Sequence, residues 1–151
     1  MIQLRHTGIY VKNLKKMTDF YKNVFDMIIV VKEQYQGDEL IKDLLLNENA
    51  QIKITKLITE QGKASGFDDM IELIEVIFPL GISVDSSSDK IFYKGCIHIG
   101  FAIPDIDITV KKIKSMGGYI ITDIHSINNK RCCFAKDIEG NYIELIENKE
   151  A

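Results

Sequence analysis

Two histidines and two glutamates stand at matching places in the two halves of this chain, and their side-chain types suit the donor set of a divalent metal site. His6 and His98 each open a His-x-Gly run that leads into a short apolar strand pattern. Glu72 and Glu144 each stand second in an identical pentapeptide, Ile-Glu-Leu-Ile-Glu, at residues 71–75 and 143–147. Imidazole nitrogens and carboxylate oxygens suit Zn, Ni, Co, Mn or Fe. On an ion that takes five or six ligands, four protein ligands leave room for water or substrate. Structural zinc sites are usually cysteine-rich and closed, so this set points to catalysis.

Strand alternation decides which side chains share a face. In the first opening strand, Thr7, Ile9 and Val11 point one way and His6, Gly8 and Tyr10 the other. In the second, Ile99, Phe101 and Ile103 oppose His98, Gly100 and Ala102. The more apolar set packs on a helix; the other set suits a cavity wall with one functional group at its mouth. In the closing strands Glu72 and Glu144 oppose Ile71/Leu73 and Ile143/Leu145, and a carboxylate buried there without a partner is costly. Glu75 and Glu147 fall on the opposite face, with solvent as the expected environment.

The elements that position these residues repeat. Residues 6–27, HTGIYVKNLKKMTDFYKNVFDM, and 98–118, HIGFAIPDIDITVKKIKSMGG, both turn at a polar or Pro-containing pair (Lys12-Asn13, Pro104-Asp105) into a helix. Leu14, Met17, Tyr21 and Val24 fall at helical spacing, with Asn13 as N-cap. Ile106, Ile113 and Met116 match three of those offsets; Thr109 holds the fourth, and Val110 completes the stripe. Gly117-Gly118 ends that helix. Strands are predicted over 28–34 and 51–57, and over 119–124 and 131–136. Each half thus reads strand, helix, three strands: an α+β fold of two βαβββ modules within a single domain, at about 1–79 and 96–151, with linker 80–95. Residues 37–50, GDELIKDLLLNENA, are an insert of the first half that reads as a short helix.

Other residues carry plainer readings. His125 has no repeat counterpart and sits beside loop-like Ser126 and Asn128-Asn129, at the surface. Residues 137–141 read as a hairpin turn with Gly140 at positive φ. Cys96, Cys132 and Cys133 make neither a disulfide framework nor a zinc motif, so reduced core or strand residues are expected.

A chain of 151 residues, 46% hydrophobic and 27% charged, is long and apolar enough to bury a core. The net charge is -3 with the two signs interspersed, which argues against a nucleic-acid surface. Lys15-Lys16 and Lys111-Lys112 lie within amphipathic helix patterns. No apolar run has the length of a membrane span, and the N-terminus lacks a signal peptide's stretch, so a cytoplasmic protein is expected.

The His-x-Gly strand, KKMTDFYKNVFDM, HIGFAIPDID and CCFAKDIEGNYIELIE resemble the vicinal oxygen chelate superfamily, which includes glyoxalase I, methylmalonyl-CoA epimerase, extradiol dioxygenases and drug-resistance proteins. The resemblance covers nearly the whole chain. It implies that paired modules form a cleft around one divalent metal, with His6, Glu72, His98 and Glu144 as its ligands, a small-molecule substrate and a homodimer. The His/Glu/His/Glu set looks most like glyoxalase I, which implies a lactoylglutathione lyase-like reaction. There the metal polarises two vicinal oxygens, Glu144 or Glu72 serves as base, and the resemblance favours Glu144. Tyr10, a candidate substrate contact, stands where similar bacterial enzymes carry an Arg that holds a glutathione carboxylate, and the Asn they place shortly after the first Glu is missing. The alternatives are an acyl-CoA epimerase using the same site and a binding or resistance protein without chemistry.

Overall fold

The helical spacing of Leu14, Met17, Tyr21 and Val24 is realised as α1 (Leu14–Phe25), and all four side chains are buried with Phe20. A computed structural model describes residues 4–66, 68–80 and 97–148. The chain divides into two compact units, Met1–Ser83 and Val84–Ala151.

In the first unit β1 (Thr7–Tyr10), α1, β2 (Ile28–Gln36), β3 (Gln51–Ile58) and β4 (Met70–Phe78) make one βαβββ module with sheet order β1-β4-β3-β2. β1 runs parallel to β4, and the other neighbours are antiparallel. In the second unit β5 (His98–Ile103), α4 (Ile106–Ser115), β6 (Tyr119–Ile120), β8 (Lys130–Lys136) and β9 (Tyr142–Glu147) repeat that order as β5-β9-β8-β6. The short β7 (His125–Ile127) pairs with β8. The fold is therefore α+β with two βαβββ modules. The inter-module segment 80–95, Leu80 excepted, and Cys96 lie outside the described residues.

Both opening strands divide as alternation requires. Ile9 and Val11, and Phe101 and Ile103, are buried, while Gly8, Tyr10, His98, Gly100 and Ala102 are exposed. α1 packs against β3 and β4, whose Leu57 and Leu73 are fully buried. Asn13 caps α1, its side chain accepting from the Lys16 N–H at 2.9 Å, and Asp105 caps α4 by accepting from Ile108 N–H. The position shared by Met17 and residue 109 is filled by Thr109 rather than Val110. Thr109 is buried, and its hydroxyl donates to the Asp105 carbonyl at 2.8 Å, so no polar atom is left unpaired.

Three sequence expectations change. The strand expected over 119–124 is only Tyr119–Ile120, after which the chain leaves the ladder and returns as β7. His125 is at the surface, yet in β7 rather than in a loop. Glu75 and Glu147 do not face open solvent. Each lies under the first turn of its module's helix: Leu14 N–H donates to Glu75 Oε2 and Ile106 N–H to Glu147 Oε1, both at 3.1 Å. The first amides of a helix lack intrahelical acceptors, and a carboxylate there also meets the positive end of the helix dipole. The 137–141 turn stands as expected, with Gly140 at φ 91. Buried Asp137 accepts from the Glu139 and Asn141 amides. Cys133 is a core residue whose burial pushes its thiol pKa up, away from nucleophilic use.

The insert forms α2 (Glu39–Leu45), and a short α3 (Glu60–Ala64), unforeseen in the sequence, precedes β4. Ile41 of α2 packs with Ala50, Ile52, Ile54 and Ile74. Ile52, Ile54 and Ile74 alternate onto the face that bears Glu72, opposite the face covered by α1. The insert therefore lies over part of the face that carries the candidate ligand.

Candidate functional site

The register of the second unit sets His98 and Glu144 side by side. β5 pairs with β9 so that Gly100 is opposite Glu144, and β9 pairs with β8 so that Phe134 is opposite Glu144. His98, two residues before Gly100, shares their face. Its Nε2 lies 3.3 Å from Glu144 Oε2, and its ring meets the Phe134 ring edge-on at a centroid distance of 5.3 Å. A Cβ at Gly100 would lie 3.6 Å from Glu144 Oε2, an ordinary van der Waals contact, so the site has room there for a small side chain. The result is an imidazole and a carboxylate, both partly exposed, steadied on one side by an aromatic ring.

The first unit repeats the backbone arrangement with a different neighbour. Gly8 is opposite Glu72, as Gly100 is opposite Glu144. On the other side of Glu72, however, β3 presents Lys56 where β8 presents Phe134. The Lys56 ammonium lies 2.9 Å from Glu72 Oε2, and both side chains are largely shielded, at 27% and 13% exposure. His6 is exposed and stands immediately before β1. Among the described residues no hydrogen bond or ion pair joins it to Glu72. Tyr10 follows on the same face of β1, at 46% exposure.

Of the predicted ligands, then, the structure brings His98 and Glu144 together and ties Glu72 to Lys56. Among the described residues no group of three or more His, Cys, Asp or Glu side chains gathers to hold an ion. The His98–Glu144 pair fits a divalent metal in its donor chemistry, one nitrogen and one oxygen from adjacent strands pointing the same way. Lys56 and Phe134 are the neighbours that sequence reasoning did not single out. The signal for Lys56 was present: in QIKITKL, alternation places it with Ile52 and Ile54. Its position opposite Glu72 became readable only with the strand register.

No helix among the described residues is long and apolar enough to cross a membrane. The family model described as "Glyoxalase/Bleomycin resistance protein/Dioxygenase superfamily" matches residues 3–145. A probable lactoylglutathione lyase of Vibrio cholerae serotype O1 is 27% identical over 151 residues, covering 99% of this chain and 93% of that protein. Among solved structures, a glyoxalase family protein from Bacillus cereus superposes with TM-score 0.84 at 19% identity, covering 97% of this chain and 94% of that one. FosX, a fosfomycin resistance protein of Listeria monocytogenes solved with Mn(II) and sulfate, superposes with TM-score 0.57 at 19% identity, covering 98% and 94% of the two chains.

Proposed function

The chain belongs to the glyoxalase/bleomycin resistance protein/dioxygenase superfamily, and from that premise we propose that it is a metal-dependent lyase or isomerase acting on a small vicinal-dioxygen substrate. The observation that carries the reading is the repeated placement of histidine and glutamate, realised in the second unit as the His98–Glu144 pair at 3.3 Å. In this reading His6, Glu72, His98 and Glu144 hold one divalent ion. When bound, the ion supplies Lewis-acid charge to two neighbouring substrate oxygens.

Glu144 takes the proton from the hydroxyl-bearing carbon beside the carbonyl and returns it to the carbonyl carbon, while the hydroxyl proton passes to the former carbonyl oxygen, so the reaction is an isomerisation with no net redox change. Its neighbours support that assignment over Glu72, because the residue opposite Glu144 is the uncharged Phe134. Glu72, against an ammonium, serves as a ligand. His98, its ring edge-on to Phe134, serves as a ligand beside that carboxylate.

Elemental analysis of the purified protein, with thermal melts before and after chelation, tests the metal. One ion per chain is expected, as is a fall of several degrees in melting temperature once it is removed, because the ion binds only the folded site. Superimposable melts near neutral pH, with no metal found, would remove the proposal. The homodimer implied by the family resemblance is part of the same reading, and sedimentation checks it.

The thiol is a separate matter. Tyr10 cannot supply the fixed positive charge with which an arginine grips a glutathione carboxylate. Poor turnover of the glutathione hemithioacetal of methylglyoxal is therefore expected, relative to a smaller thiol adduct. Tyr10→Arg is expected to raise kcat/KM for the glutathione adduct by about fivefold or more, the scale of one charge-assisted contact. Efficient use of glutathione by the unmodified protein, without gain in the variant, places the substrate contacts elsewhere.

A further inference from the structure

We propose that Lys56 is a built-in competitor of the metal at Glu72, and that its charge sets how tightly the site holds its ion; the inference rests on the metal reading above. The face of the first unit's sheet that carries Glu72 is otherwise aliphatic along β3 and β4. Ile52, Ile54, Ile58, Met70 and Ile74 all alternate onto it and are buried. Into this surface the sequence sets one cation and one anion directly across from each other, bonded at 2.9 Å. The second unit has the same glycine-glutamate row, and at the equivalent place it has Phe134. The two candidate carboxylates are thus alike in backbone and unlike in what they must give up. Among the described residues Glu144 has no cation of lysine or arginine paired with it, and its neighbour is His98. Glu72 must loosen an ammonium already in hydrogen-bond contact, and a divalent ion arriving at its oxygens meets that positive charge on the same face. Neither the low exposure of the pair nor the aliphatic surroundings offer Lys56 another anion nearby on β3 or β4, so the repulsion is weakly screened.

Lysine at this position weakens and slows metal loading, and makes Glu72 the ligand that releases first. Removing the charge while keeping the length should therefore tighten the site. The test is calorimetric titration of the metal-stripped full chain with Mn(II), which reads affinity without any turnover. Lys56→Met is expected to tighten Mn(II) binding about tenfold or more, the effect of losing one partly shielded like charge. Lys56→Arg, which keeps the charge, is expected to stay within about threefold of the natural protein. Should Lys56→Met fail to fold, Lys56→Gln removes the charge and keeps a polar tip that can still donate to Glu72, and the same tightening is expected of it. Unchanged or weaker Mn(II) binding in the neutral variants, with the natural protein binding normally, overturns the inference and leaves the metal reading standing. Equal tightening in Lys56→Arg overturns it too, since shape and not charge would be responsible. No Mn(II) binding by the natural protein or by any variant fells both together.

Discussion

Glu144→Gln is expected to lower kcat by about 10²- to 10⁴-fold, the contribution usually made by a positioned general base. The substitution keeps the shape of the side chain and one oxygen beside His98 Nε2, but an amide does not accept a proton from carbon. Glu144 is partly exposed and lies outside the buried set of β9, which is Tyr142, Ile143, Leu145 and Glu147. A large loss of stability is therefore not expected, and chelated melts of the variant should lie within a few degrees of the natural protein. Glu72→Gln is the control that gives the result meaning. It should weaken metal retention and free Lys56, with a smaller loss in kcat when metal is saturating. Steady-state rates on metal-loaded protein, with bound metal quantified in each variant, separate the two carboxylates. A greater loss of kcat from Glu72→Gln moves the base to the first module and makes Lys56 part of its surroundings.

The parts of the fold that depend on local periodicity were legible in the chain. His-x-Gly followed by an apolar alternation, the stripe from Leu14 to Val24 and the Asn13 cap all act within a few residues, and each stands in the structure. The repeat extended this, because two halves that open and close alike must pair their first and last strands alike, as β1-β4 and β5-β9 do. What the sequence did not yield depends on partners distant in the chain. Thr109 is a weak match to the helix stripe by polarity, yet its hydroxyl donates to the Asp105 carbonyl one turn back, and the side chain is buried. The strand predicted to run to residue 124 stops at Ile120, although Ile121 and Thr122 continue the apolar and β-branched character; both their amides still donate to the Phe134 carbonyl, but outside a regular ladder. Lys56 was hidden for the same reason: alternation assigns a face, while only the pairing of β3 with β4 assigns the neighbour. For the site itself, residue types and symmetry pointed to His6, Glu72, His98 and Glu144 together; the structure sets His98 beside Glu144 and pairs Glu72 with Lys56.

Glu147→Ala is expected to destabilise the second unit by about 2–4 kcal/mol, the cost of stranding a buried amide together with a charged partner. The carboxylate is buried, at 8% exposure, and accepts from Ile106 N–H at 3.1 Å and from Arg131 Nη1 at 3.4 Å. Ile106 is itself fully buried at the start of α4, so its amide has no ready access to water once the acceptor is gone. Arg131 is better placed to survive the change. It also grips the exposed carboxylate of Asp107 through both terminal nitrogens, at 2.8 and 3.1 Å, and that contact holds the Asp107 carboxyl below its usual pKa. Glu147→Gln keeps an oxygen acceptor for the amide, and its cost should be the smaller of the two. Glu75→Ala, the pseudo-symmetric change, should also cost less, because the Glu75 side chain is 26% exposed and water can reach the vacated position. Denaturant unfolding of the three variants, with amide exchange at Ile106 and Leu14, reads these differences directly. A Glu147→Ala midpoint indistinguishable from that of the natural protein, with Ile106 still protected, would mean that the helix start is satisfied by another acceptor and that the buried carboxylate serves some purpose other than anchoring α4.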